Sequence, residues 1–266
     1  MTNPQCYKSA IDASGCISNA WELIKPNYWL YFAMALLTYV LVACIPCLNV
    51  FLMGPIMGGL YFVSLRGMRG EQIEFGMLFK GFEKFVPLMV VGLVQSIPGI
   101  IYQVLNFGFN FTSSMIDGIN RGRSPRGSNF SQFLTADADL LAGGIGILFI
   151  VVIFAFMIIM IAWSITFAFA VPIMMDNDVS IGDALKLSAR AGWGNVGGII
   201  VLAILGGLLM FVGALGLCIG MFFVLPVVWV SWAFAYRQVF PDLNPTQYRT
   251  EPPTPDFYQG SFGQGM

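Results

Sequence analysis

Two cysteines three positions apart, Cys44-Ile45-Pro46-Cys47, are the sharpest chemical signal in the chain. Thiols at that spacing can close a disulfide or share a soft metal ion, and a nearby helix N-terminus lowers the pKa of one of them. Cys218 is a third candidate ligand, and Met53 and Met57 supply further soft sulfur. A quinone-linked thiol oxidase or a Cu(I) site could be drawn from such groups. The plainer reading is that cysteine fills small gaps between packed helices. The stretch from Gly108 to Asp139 has no cysteine, so an electron relay lacks its second pair. Five cysteines at irregular spacing are also not an even disulfide framework.

Histidine is absent from the chain, which removes the usual general base and the commonest metal ligand together. Acid-base chemistry would fall to carboxylates, lysine, tyrosine or thiol. The acidic cluster Asp176, Asn177, Asp178 and Asp183 could coordinate a cation or a lipid headgroup. Its plainer reading is a solvated turn leading into a helix capped by Ser180 and Asp183. Gln95, Gln103 and Asn106 are the candidate polar pathway for an uncharged solute. No catalytic residue, resident metal or cofactor is expected.

The elements that position these groups follow from composition. The chain has 266 residues, 57% hydrophobic and 10% charged, with a net charge of −1 and mean hydropathy of +0.77. A soluble domain carries roughly a quarter charged residues. The scattered basic residues form no stripe for nucleic acid. Uncharged apolar blocks run from Trp29 to Leu48, Val50 to Leu65, Val86 to Phe107, Leu140 to Met175, Val196 to Val212 and Leu215 to Tyr236. Most approach or exceed the roughly 20 residues that cross a bilayer as a helix. The short second block carries Gly54, Pro55, Gly58 and Gly59 and is expected to kink or tilt. The fourth is long enough to project past the bilayer before Pro172. The first 28 residues do not read as a cleavable signal peptide. The expected fold is therefore an all-α integral membrane protein with six transmembrane helices paired as three hairpins.

Ten of the thirteen Lys and Arg residues fall on one side of such an arrangement if the N-terminus is cytoplasmic. The other three, Arg121, Arg123 and Arg126, lie in a long external loop at about 108–139. The bias of basic residues toward the cytoplasm puts both termini there, in a cytoplasmic (inner) membrane. Each hairpin is preceded by apolar or small residues at i, i+3, i+4 and i+7: Ile17/Ala20/Trp21/Ile24, Phe75/Leu78/Phe79/Phe82 and Ile181/Ala184/Leu185/Ser188. That period marks one face of a helix, here one expected to lie in the headgroup layer. Cys47, Pro55 and Arg66 recur as Cys218, Pro226 and Arg237, each 171 positions later. The match supports an internal repeat, against chance similarity between spans of biased composition. Gly54-x-x-x-Gly58 and Gly216-x-x-x-Gly220 have the spacing for close helix packing, within one subunit or between two in a homo-oligomer. The expected organisation is an N-terminal segment over 1–28, a membrane domain over 29–237, and a Pro-rich, disordered cytoplasmic tail over 238–266 that could hold a partner motif near Phe257 and Tyr258.

Several local patterns carry a resemblance. They are Gly54-Pro55-Ile56-Met57-Gly58-Gly59-Leu60 with Phe75-x-x-Leu78-Phe79-x-Gly81-Phe82, Pro172-Ile173-Met174-Met175-Asp176 with Ala184-Leu185-Lys186-Leu187-Ser188, and Gly216-Leu217-Cys218-Ile219-Gly220 with Ala235-Tyr236-Arg237. Together, over roughly Trp21 to Arg237, the chain resembles a broad group of bacterial multi-pass proteins of unknown function, similar to the membrane domain attached to some glycerophosphodiester phosphodiesterases. The resemblance implies a six-helix membrane protein without established activity, and no catalytic residue is carried over from it. The expected function is a non-enzymatic accessory or membrane-organising factor in contact with lipid. The alternatives are a permease or transporter for an uncharged or lipid-like solute, and a thiol-redox or soft-metal protein using Cys44 and Cys47.

Overall fold

A computed structural model describes residues 7–44, 46–119, 144–216 and 219–241. The described residues form helices and no strand: α1 (Ala13–Ile24), α2 (Tyr28–Cys44), α3 (Pro46–Met68), a 3-10 helix (Phe75–Lys84), α4 (Phe85–Ile119), α5 (Gly144–Phe167), α6 (Ala170–Asp176), α7 (Ile181–Gly194), α8 (Val196–Leu215) and α9 (Ile219–Val239), with a 3-10 turn over Lys25–Asn27. Among the described residues, five stretches are long and apolar enough to cross a membrane: Phe51–Met68, Phe75–Gly108, Ile150–Asp176, Val196–Leu215 and Gly220–Val239. The outward surface is apolar as well. Along α5, Ile150, Val151, Val152, Phe154, Ile158 and Ile159 are all more than half exposed, which suits a helix whose solvent is hydrocarbon.

Several boundaries differ from those expected. The first apolar block ends as a helix at Cys44 rather than Leu48, because Pro46 opens α3 at its first position, where a missing N–H costs nothing. Cys44 and Cys47 thus belong to successive helices. Pro55 lies inside α3 without ending it. Helix α4 continues past Phe107 to Ile119, into the stretch expected to be a loop over about 108–139. Asn110 Nδ2 donates to the Asn106 carbonyl at 2.7 Å, and Ser114 Oγ donates to the Asn110 carbonyl at 2.8 Å, so the polar residues end the apolar block but not the helix. The rest of that loop and the tail beyond Pro241 lie outside the described residues. Helix α9 runs past Arg237 to Val239. Val239 is fully buried and Phe240 is 4% exposed.

The three amphipathic stretches are short helices, α1 docked near the far end of the chain and the other two on the helices that precede them. Helix α1 packs on α8 and α9, the 3-10 helix packs on α3, and α7 packs on α5 and α6. Position i+3 of the shared template, occupied by Ala20, Leu78 and Ala184, is buried in all three. The middle member departs from the expected α period. At three residues per turn, side chains three apart eclipse, so Leu78 and Gly81 share the buried row. Phe79, Phe82 and Phe85 form a second row, with ring centroids 6.1 Å apart at both steps. Phe79 and Phe82 of that row are exposed.

The segment before α1 is stitched to the far end of the chain. Tyr7 N–H donates to the Val239 carbonyl at 3.0 Å and Ser9 N–H to the Gly194 carbonyl at 3.1 Å. Asn195, 2% exposed, accepts from Ala10 N–H at 2.8 Å and donates to the Tyr7 carbonyl at 2.9 Å. Asp12 N–H donates to Gln238 Oε1 at 2.8 Å, and the Cys16 thiol approaches the same oxygen at 3.4 Å. Neither Asn195 nor Gln238 stood out in the sequence, because a buried amide binding backbone has no periodic signature.

Burial, reinforced by the negative charge of Asp12, pushes the Cys16 thiol up to about 12. Thiolate is the reactive form, so Cys16 is expected to resist N-ethylmaleimide at pH 8 in folded protein and to alkylate fully after unfolding in dodecyl sulfate. Mass spectrometry reads both states, and prompt labelling of the folded protein would contradict the burial. Holding the thiol neutral contributes stability below the ordinary thiol pKa of about 8.5, and that contribution is lost as pH rises toward 12.

Candidate functional site

The helices converge on a charged cluster at one end and a cleft beside it. Arg69 follows α3, Asp176 closes α6 and Arg237 lies in the last turn of α9. Arg69 Nη2 donates to Asp176 Oδ1 at 3.1 Å. Arg237 grips both carboxylate oxygens, Nη1 to Oδ2 at 3.0 Å and Nη2 to Oδ1 at 3.1 Å, the two-bond geometry in which guanidinium-carboxylate pairing is strongest. Tyr236 donates its hydroxyl to Oδ2 at 3.0 Å and accepts from Asn177 Nδ2 at 3.2 Å. The Asp176 and Arg237 side chains are each 13% exposed and that of Arg69 is 27% exposed. One carboxylate thereby ties together three helix ends far apart in sequence.

The acidic residues grouped in the sequence are separated in space. Asp176 is enclosed by arginine, so it is not part of a solvated turn. Asp178 is exposed and pairs with Lys84 Nζ at 2.6 Å, which holds its carboxyl below the usual range through that hydrogen bond and charge. Asp183 belongs to the cap of α7, where its N–H donates to Ser180 Oγ at 3.2 Å. Among the described residues no three His, Cys, Asp or Glu side chains converge. Arg66, which marks the repeat together with Arg237, pairs instead with Glu71, Nε to Oε2 at 3.0 Å.

The cleft has a volume of about 270 Å³. Met53, Met57, Leu60, Tyr61 and Ser64 of α3 form one wall. Gln95 of α4, Ser164 of α5, Ala168 between α5 and α6, Val171 of α6, and Trp229 and Trp232 of α9 complete it. No lining residue is charged. At the break between α5 and α6, the Phe167 carbonyl accepts a bond from Gln95 Nε2, while Ser188 Oγ accepts from Phe169 N–H at 3.2 Å and donates to the Thr166 carbonyl at 2.9 Å. These side chains satisfy backbone groups that an unbroken helix would pair internally. Ser64 and Ser164 donate to their own helices, to the Leu60 and Met160 carbonyls at 2.8 and 2.9 Å.

Neither protein families, curated proteins nor solved structures gave a match to this chain. The reading of the site therefore rests on its own geometry.

Of the candidate polar pathway, Gln95 lines the cleft, while Gln103 and Asn106 are exposed farther along α4 and do not line it. Cys218 and the side chains of Cys44 and Cys47 lie outside the described residues. Gly54 and Gly220 lie at backbone crossings, and Gly58 lies against a side chain. A Cβ at Gly54 would meet the Leu88 carbonyl, one at Gly58 would come 2.8 Å from a Leu88 methyl, and one at Gly220 would meet the Gly213 carbonyl. Gly216 lies in the turn before α9, its N–H donating to the Gly213 carbonyl at 3.1 Å. Spacing along one helix marked Gly54 and Gly220, but their partners Gly92 and Gly213 emerge only in three dimensions.

Proposed function

We propose that this chain is a six-span membrane protein of a bacterial cytoplasmic membrane, acting as a non-enzymatic organiser of the cytoplasmic leaflet. In this reading α2, 17 residues and roughly 26 Å long at 1.5 Å per residue, is the first span, and α2/α3, α4/α5–α6 and α8/α9 are three hairpins. The carrying observation is the placement of the three short amphipathic helices. Each docks on a hairpin other than the one it precedes, α1 on the third, the 3-10 helix on the first and α7 on the second, so the three units interlock as a ring. That cyclic exchange supports an internal threefold repeat. The ring turns aromatic side chains outward: Trp21 is 48% exposed, Phe79 47% and Trp193 59%. Such rings favour the headgroup level, and helices of this kind bind lipid through buried apolar area.

Protein taken into native nanodiscs is expected to carry a lipid composition different from the bulk membrane, with the enrichment lost when Trp21, Phe79 and Trp193 are replaced by Ser. Bulk composition together with no reproducible protein partner would refute the organising role. Topology is tested separately: Ser128→Cys should react with an impermeant maleimide on intact cells and Gly182→Cys only after lysis. The cleft beside Gln95 favours a second reading, a protein that holds or carries an uncharged or lipid-like molecule.

A further inference from the structure

We infer that the cleft holds one acyl chain of a membrane lipid together with its ester group, the carbonyl oxygen accepting hydrogen bonds from Tyr61, Trp229 or Trp232. The inference rests on the second reading above and names its ligand class. Its first support is an imbalance of donors. Among the described residues, the Tyr61 hydroxyl and the indole N–H groups of Trp229 and Trp232 find no acceptor, although all three residues line the cleft and none is exposed. A donor without an acceptor in a hydrocarbon setting carries a cost of several kcal/mol. Indole can only donate, so the missing partner is an acceptor.

The remaining wall decides what kind of acceptor. Met53, Met57, Leu60, Ala168 and Val171 are apolar, and Ser64, Gln95 and Ser164 each already donate to a backbone carbonyl, so the space is mostly apolar and what it lacks is an acceptor for the three idle donors. With no charged lining residue, nothing there compensates a phosphate or carboxylate. The ligand is uncharged where it touches the cleft, mostly apolar, and carries a carbonyl-type acceptor. The volume of about 270 Å³ lies just below the range of roughly 300–1,000 Å³ for small-molecule pockets. It suits a chain segment with its ester rather than a whole lipid. Access comes from the hydrocarbon side. Ser164 is both part of the wall and exposed, and the neighbouring surface of α5, Ile158, Ile159 and Ile161, is apolar and open.

The test is native mass spectrometry of the full chain released from nanodiscs of dioleoyl phosphatidylcholine, which has ester carbonyls, or of its dialkyl ether counterpart, which has none. One retained diester lipid per chain is expected, held about tenfold better than the diether, the change a lost hydrogen bond can produce. Tyr61→Phe should narrow that difference while preserving shape. Ala168→Phe should abolish retention by filling the cleft, and Ser164→Phe, at an exposed position on its rim, should weaken it. Equal retention of the two lipids, or retention unaffected by both phenylalanine variants, would overturn the inference. A tightly held non-lipid molecule would also overturn it while leaving the uncharged-solute reading in place. A bare chain in both nanodiscs would remove both.

Discussion

Gly59→Ala is expected to lower the thermal midpoint of the detergent-purified protein by several degrees, whereas Gly99→Ala should hold or raise it. A Cβ on Gly59 would run into the Leu78 carbonyl, and one on Gly81 would run into the Pro55 carbonyl. The obstacle is backbone on both sides, so no rotamer change relieves it. The 3-10 helix would have to lift from α3, drawing Leu78, 2% exposed, away from Leu60 and Val63. Overfilling of this kind costs about 1–3 kcal/mol. In lipid it is not offset by hydrophobic burial, since helix association there rests on close packing. At Gly99 a Cβ meets nothing within 4 Å, and Ala in a helix is favoured over Gly by up to about 1 kcal/mol. Circular dichroism melts of the two variants against the parent give the result. Equal midpoints for Gly59→Ala and the parent would show that the 3-10 helix does not rely on this crossing.

Much of the fold was legible because lipid imposes a coarse code. Blocks free of Asp, Glu, Lys and Arg located the long helices, and the i, i+3, i+4, i+7 template located α1, the 3-10 helix and α7. The ends were less legible. A run of apolar residues cannot place the boundary between α2 and α3, and only the position of Pro46 explains where α3 begins. Nor can polar side chains mark the end of α4, because Asn106, Asn110 and Ser114 bond along the helix as readily as they would face solvent. A period of 3.6 puts Phe82 on one face with Leu78, whereas three residues per turn give Leu78 and Gly81 a shared buried row and leave Phe82 exposed.

The site was less legible than the fold for a related reason. Residues stood out when chemistry was local in sequence, as with Cys44 and Cys47 or the acidic run after Met175. The cleft instead gathers Tyr61, Gln95, Ser164 and Trp232 from four helices, and its significance depends on which donors lack acceptors. Nothing in the sequence states that. Gln95 stands out because polar residues within apolar blocks are few, whereas nothing in the spacing of Tyr61, Trp229 and Trp232 sets them apart from the apolar blocks that hold them.

Asp176→Asn is expected to destabilise the protein more than Arg69→Ala does, although it changes only one atom type. Removing the carboxylate charge leaves two guanidinium groups facing each other across a neutral amide, with the Arg237 side chain 13% exposed. Breaking a fully buried pair by deleting one partner costs about 3–5 kcal/mol. Because Arg69 is 27% exposed and water screens part of its charge, about 2–3 kcal/mol is the reasonable expectation here. Arg69→Ala leaves Asp176 with both bonds from Arg237 and the Tyr236 hydroxyl, so the negative charge stays compensated. Arg237→Lys should fall between the two, since an ammonium cannot reproduce the two-bond grip. Raising salt should recover part of the Asp176→Asn loss by screening the arginine pair and should do little for Arg69→Ala. Denaturant unfolding of the three variants at low and high salt supplies the ordering. If Asp176→Asn proved as stable as the parent, the ends of α3, α6 and α9 would be held by packing alone. The destabilisation expected instead would make one carboxylate the common fastening of the ends of α3, α6 and α9.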